Sequence, residues 1–211
     1  MTGLSRRSFT TAAMASLLVG CAGQATEQDA SARRARGRQE TGDGSSSGSS
    51  ASANSARALG RSVPVRLRIP AIGVDTPVMG LGLARDGSVE VPPITADDRA
   101  GWYRHSPTPG QVGPSVILGH VTVGAYGDGV FRRLGELRRG DRIVARRQDG
   151  SSAEFTVGAV RTVAKADFPA DQVYGDVDRP ELRLITCGGP REGQEYRDNV
   201  IVFASLSPAA P

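Results

Sequence analysis

Between residues 63 and 206 the apolar positions fall in short runs, alternating or continuous, that turn residues cut apart. Val65-Arg66-Leu67-Arg68-Ile69 alternates strictly and stops at Pro70, the pattern of a strand with one buried face. Residues 74–79 form a second strand, and Pro77 within it marks an edge or bulge, since proline has no N–H to give a ladder. Residues 88–91 make a short third strand. Ser115-Val116-Ile117-Leu118 is a buried fourth, ending at Gly119-His120. Residues 141–147 and 153–164 flank Gln148-Asp149-Gly150-Ser151, a hairpin signal. Residues 182–186, closed after Cys187 by Gly188-Gly189-Pro190, and residues 200–206 complete the set. Eight strands at this spacing predict an all-β barrel or sandwich. Helical signal is sparse: Val130, Phe131, Leu134 and Leu137 have helical spacing for a turn or two, and residues 169–174 can make another short helix.

The chain ahead of this region is of another kind. Ser5-Arg6-Arg7-Ser8-Phe9 carries paired arginines before an apolar stretch over residues 9–19, and Leu18-Val19-Gly20-Cys21 sets small residues ahead of a cysteine. A basic start, a short apolar run and a processing site read as an export signal over residues 1–21. The run falls short of the ~20 residues a membrane-spanning helix needs. The tetrad resembles the lipobox of bacterial lipoproteins, which implies that Cys21 is lipidated and becomes the mature N-terminus. The other reading is an ordinary signal or an uncleaved anchor. Both place the rest of the protein outside the cytoplasmic membrane, and a lipid on Cys21 or an uncleaved anchor would attach it to the outer face through the N-terminus.

Residues 22–62 read as a tether. Residues 42–55 are nearly all Gly, Ser, Ala and Asn, with Asp43 as their one charge. Such a stretch cannot bury enough apolar surface to offset the entropy of ordering, so it is predicted to be disordered. Arg33-Arg34-Ala35-Arg36-Gly37-Arg38 within the tether is either a solvated run or a contact for anionic lipid head groups or wall polymers. Residues 207–211 are a short tail after the folded domain.

Charge follows the same division. Eight of the 26 basic residues and four of the 22 acidic ones lie before residue 64, which leaves eighteen of each sign in the folded domain. The net charge of +4 therefore belongs to the leader and tether rather than to a binding face, and nucleic acid is excluded as a partner on that ground. Lys165 is the sole lysine, so a lysine nucleophile has almost no place in the chemistry.

Cys187 is the cysteine of the folded domain, at the end of Leu182-Arg183-Leu184-Ile185-Thr186-Cys187. An unpaired thiol in an exported protein is either inert packing or a reactive group. Two further strand-end residues favour reactivity. His120 closes one strand, and Arg197 lies just before the last. In a barrel, strands remote in sequence become neighbours, so three such ends can meet at one rim. Imidazole can generate the thiolate, and a guanidinium can donate to a developing oxyanion. His105, in Tyr103-Arg104-His105-Ser106-Pro107, lacks that placement and reads as structural or groove-lining. Zinc spacing is missing, and Asp167, Asp171, Asp176 and Asp178 do not have EF-hand spacing, so neither metal nor cofactor is expected.

Leu118-Gly119-His120, Leu184-Ile185-Thr186-Cys187 and Tyr196-Arg197-Asp198-Asn199-Val200-Ile201-Val202, with the upstream Pro107-Thr108-Pro109-Gly110 loop, resemble the sortases. These are cysteine transpeptidases of the Gram-positive cell surface, and the likeness covers roughly residues 64–206. It implies an eight-stranded sortase-type β-barrel with one or two short helices. It also implies Cys187 as nucleophile, His120 as general acid/base and Arg197 on the oxyanion side. Thr186 becomes a candidate for holding the oxyanion or the substrate backbone. The implied substrates are surface-protein precursors with a Leu-Pro-x-Thr-Gly signal, cut between Thr and Gly. The implied acceptor is an amine such as a peptidoglycan cross-bridge. The common family pattern has Thr four residues before the cysteine, where this chain has Arg183. That feature resembles the actinobacterial class E and F branches, class F best, and points to an altered groove floor. The competing reading is a non-catalytic surface lipoprotein whose sortase-like barrel binds sorting peptides or wall components.

Overall fold

The computed structural model describes residues 56–208, apart from residues 97 and 194. The export signal, Cys21, and the tether up to residue 55 lie outside the described residues. Eight strands form a closed barrel: β1 (Pro64–Ile69), β2 (Val74–Leu81), β3 (Ala100–Tyr103), β4 (Gly113–Leu118), β5 (Arg142–Arg147), β6 (Ser152–Ala164), β7 (Pro180–Glu192) and β8 (Glu195–Leu206). Their order around the barrel is β1-β2-β3-β4-β7-β8-β6-β5. The β2–β3 and β4–β7 pairs are parallel and the others antiparallel. One short helix, α1 (Ala170–Tyr174), lies in the connection from β6 to β7.

Alternation along the strands builds two layers of core. Leu67, Ile69, Trp102, Ile117, Phe155, Leu182, Leu184 and Val202 fill the barrel with Phe131. Each such side chain contributes about 1.5–3 kcal/mol on burial. Val116, Ile185 and Ile201 point to the other face, where Val173 of α1 covers them. β4 and the first half of β7 are thus buried on both sides, which explains their nearly continuous apolar runs.

Several expectations hold with changed detail. Pro77 stands opposite Arg66, one residue before β2 begins to pair with β3 at Val78, so its missing N–H interrupts no β3 ladder. The turn between β5 and β6 is where Asp149-Gly150 predicts it, with Gly150 at φ 83°. The Ser151 hydroxyl, and next its backbone N–H, hold the Asp149 carboxyl below the usual carboxylate range. Residues 88–91 are not a strand; they contribute one isolated bridge between Leu83 and Val89. The missing strand is β3, whose Ala-Gly-Trp-Tyr sequence carries little alternation. Within it Gly101 packs against the Leu81 side chain so closely that a Cβ there collides. The helical spacing over 130–137 yields only a 3-10 turn at Leu134–Glu136, whereas residues 170–174 are helical as expected.

The folded unit also begins earlier than residue 63. Leu59 donates its N–H to the Gly110 carbonyl at 2.8 Å and packs against the core. Ser62 is buried, its N–H on Thr108 Oγ1 at 3.1 Å. Buried Arg147 ties this segment to the β5–β6 turn, donating to the Gly60 carbonyl at 2.7 Å and to Ser151 Oγ at 2.8 Å. Replacement of Arg147 by Met removes those donors and leaves the Gly60 carbonyl without its partner. Urea unfolding of Arg147→Met is expected to show a loss of about 1–3 kcal/mol, the cost of unsatisfied buried polar groups.

Candidate active site

The parallel register of β4 and β7 ends at Leu118 opposite Ile185. One residue on, Gly119 is fastened twice to β7. Its N–H donates to the Ile185 carbonyl at 3.1 Å, and its carbonyl accepts the Thr186 hydroxyl at 2.7 Å. The next residues along the two adjoining strands are His120 and Cys187. Phe131 N–H donates to the His120 carbonyl at 2.9 Å, and Gly129 passes so close to that carbonyl that a Cβ there collides. The backbone of His120 is therefore held from both sides.

On the other side of β7, Cys187 pairs with Asn199 of β8, and Arg197 lies two residues before Asn199, hence on the same face. Cys187 is a free, partly buried thiol. It follows Arg183 and Ile185 along the outer face of β7, the face that α1 covers further down. Cys187 and Arg197 therefore lie on adjoining strands, and His120 just past the end of the strand on the other side of β7.

The strand ends differ from those the sequence suggests. β4 stops at Leu118, two residues before His120. β7 continues through Gly188-Gly189-Pro190 to Glu192, with its register broken between Gly188 and Arg191, and Arg197 lies inside β8 rather than before it. Gly189 takes φ 71°, and a Cβ there collides with the Asp198 carboxylate, so the two glycines supply an irregularity within the pairing rather than a stop. Cys187 thus sits beside a bulge, where the ladder loosens.

His120 Nε2 and the Pro92 carbonyl are 2.6 Å apart. A carbonyl only accepts, so the proton sits on Nε2 and Nδ1 is the basic nitrogen of the neutral ring. The Arg197 guanidinium is 65% exposed and lies 3.6 Å from Glu192 of the β7–β8 hairpin. Thr186 lies one residue before the thiol. It is buried on the face of β7 opposite Cys187, and its hydroxyl proton is committed to Gly119. Its work is to lock β7 to the end of β4. His105 is exposed, its ring 5.4 Å from that of Tyr103. Burial, and next the neighbouring Tyr103, push the Tyr174 hydroxyl of α1 up from its ordinary range. Among the described residues no group of three or more His, Cys, Asp or Glu side chains is placed to hold a metal ion.

The contact between His120 and Pro92 escapes sequence reasoning, because it joins residues in separate loops. The proline pair at 92–93, which stiffens the approach of that segment, is the one local signal.

A thiol and a guanidinium on neighbouring strands, and an imidazole just past a third, thus stand at one end of a closed eight-stranded barrel. A sortase domain matches residues 67–207, and the chain belongs to the sortase family. Among solved structures, the lid mutant of sortase A from Corynebacterium diphtheriae is similar at a TM-score of 0.55, with 21% identity, covering 72% of this chain and 74% of that one. Sortase C-1 from Actinomyces oris gives 0.54 with 22% identity, over 69% of this chain and 76% of its own. The Clostridium perfringens sortase D5 transpeptidase gives 0.51 with 21% identity, over 69% and 79%. At these identities the likeness shows the shared fold. No curated protein matches the sequence.

Two measurements check this geometry. In nitrogen-edited NMR spectra, neutral His120 is expected to show the Nε2–H tautomer; a dominant Nδ1–H signature contradicts the Pro92 contact. Thr186→Val keeps shape but orphans the Gly119 carbonyl, so chemical denaturation should record a loss of about 1–3 kcal/mol.

Proposed function

We propose that this protein is a surface sortase of the class E/F branch, class F by its Arg-Leu-Ile-Thr-Cys-Gly-Gly run, that cleaves a Leu-Pro-x-Thr-Gly type signal between Thr and Gly. It transfers the new carboxyl terminus to an amine such as a peptidoglycan cross-bridge. The observation that supports this reading is the β4–β7 register, which pairs Leu118 with Ile185 two residues before His120 and Cys187, with Arg197 on the next strand.

The Cys187 thiolate attacks the threonine carbonyl carbon, and the negative charge that develops on its oxygen is met by Arg197. Its present partner, Glu192, is 78% exposed, and such surface pairs are worth at most about 1 kcal/mol, so the guanidinium leaves it cheaply. Collapse breaks the Thr–Gly bond, and protonated His120 gives its proton to the departing glycine amine. The acceptor amine then attacks the thioester, His120 takes its proton, and the Cys187 thiolate leaves. With Nε2 held by Pro92, Nδ1 is the nitrogen that exchanges these protons.

The N-terminal segment would keep the enzyme at the membrane, by a lipid on Cys21 or by an uncleaved apolar helix. Among the described residues no helix is long and apolar enough to cross a membrane. A linker with the length and composition of residues 22–62 would reach about 35 Å, enough to meet secreted precursors and nearby wall precursors. Mass spectrometry of the membrane-extracted protein separates the two anchors: a diacylated Cys21 terminus is expected, and an intact Met1 with unmodified Cys21 overturns it.

Cys187→Ala and His120→Ala are each expected to abolish cleavage of a Leu-Pro-x-Thr-Gly peptide while the protein stays folded. Arg197→Lys should lose about 10²–10³ in turnover, because an ammonium cannot reproduce the planar fork of donors. Intact mass after incubation with the peptide should show an acyl adduct on Cys187. Cleavage at the unsubstituted rate by Cys187→Ala sinks the mechanism, and no adduct on the unsubstituted protein favours a binding module instead.

A further inference from the structure

Arg183 is expected from sequence to alter the groove floor, yet it is 3% exposed and presents no free guanidinium to a ligand. Its Nη2 lies 2.5 Å from Glu181 Oε2, a carboxylate that is itself buried and whose other oxygen meets Arg179 at 2.6 Å. Its Nε donates to the Gln172 carbonyl of α1 at 3.2 Å, and its guanidinium lies 4.7 Å from the centre of the Phe203 ring on β8. Arg161 of β6 grips the same helical residue from outside, donating to Gln172 Oε1 at 2.7 Å. Two guanidiniums on two strands therefore fix one residue of a helix too short to hold its own place.

The position matters because Arg183 and Cys187 share the outer face of β7, four residues apart. α1 packs on that face two residues below Cys187, with Val173 on Val116, Ile185 and Ile201, and Tyr174 edge-on to Tyr103 at 6.2 Å. A peptide that delivers a carbonyl to Cys187 along the outer face of β7 meets α1 as its wall. A threonine at residue 183 reaches neither the Gln172 carbonyl nor Glu181.

We propose that Arg183 is a positioning residue that sets the groove wall through α1, and so governs peptide recognition without touching the reacting atoms. The proposal rests on the sortase reading above. Arg183→Met on the full chain removes the donor and keeps the length of the side chain. Arg183→Met/Glu181→Met also removes the carboxylate left behind, and guards against loss of folding from a buried unpaired charge. Both variants are expected to raise KM for the sorting peptide about tenfold, with kcat changed less than twofold. Alkylation of Cys187 by iodoacetamide should keep its unsubstituted rate, and amide exchange over residues 168–175 should speed up. Arg183→Lys should recover part of KM, since an ammonium still reaches Glu181.

Unchanged KM in a folded variant, or an equal fall in kcat and kcat/KM, overturns the recognition role. Unchanged exchange over residues 168–175 overturns the anchor itself. If the unsubstituted protein cleaves no sorting peptide, the proposed function fails and the recognition role with it, whereas the exchange measurement still decides whether Arg183 holds α1.

Discussion

Parallel pairing of β4 with β7 is the constraint on which the rest of this protein depends. Two parallel strands cannot be joined by a tight turn, so the chain must travel through β5 and β6 before it returns. That detour brings Leu118 and Ile185 into register although they lie far apart in sequence. It also places both strands at the centre of the structure, covered inside by the barrel core and outside by α1. The fastening of Gly119 to Ile185 and Thr186 then carries the register past the formal end of β4, up to the histidine.

Arginine serves two opposite purposes on the outer face of this barrel. Arg183 is enclosed, and removing one partner from a buried pair of that kind typically costs about 3–5 kcal/mol. Arg197 is two-thirds exposed and holds a surface glutamate that water already screens. The first guanidinium is fixed by its buried partners; the second is held by one exposed pair and is cheap to move. The low cost of moving Arg197 and the high cost of moving Arg183 follow from burial alone, since the side chain is the same.

Sortase membership places this chain among enzymes generally found at the cell surface on the membrane. The conformation around His120 fits chemistry of that class. Its backbone is clamped by Gly119 on one side and by Phe131 and Gly129 on the other, and its ring is oriented by the Pro92 carbonyl. Groups from other loops and strands thus determine where the imidazole stands and which nitrogen carries the proton.

Alternation at residues 65–69 and 153–164, the Asp149-Gly150 turn and the apolar runs before His120 and Cys187 determined the all-β class and most of the barrel, because these signals are local. The residue types at 120, 187 and 197 likewise marked the candidate chemistry before any coordinates. β3 was illegible, since its sequence carries little alternation and the close packing of Gly101 on Leu81 is a contact between separate strands. The partners of Thr186 and Arg183 were hidden for a related reason: a hydroxyl beside a thiol and a guanidinium on its strand look available until their partners are known. Those partners, Gly119 and Gln172, arrive from distant parts of the chain. Only tertiary structure decides which polar groups are already satisfied, because satisfaction belongs to pairs of residues that folding brings together, and a sequence shows one member at a time.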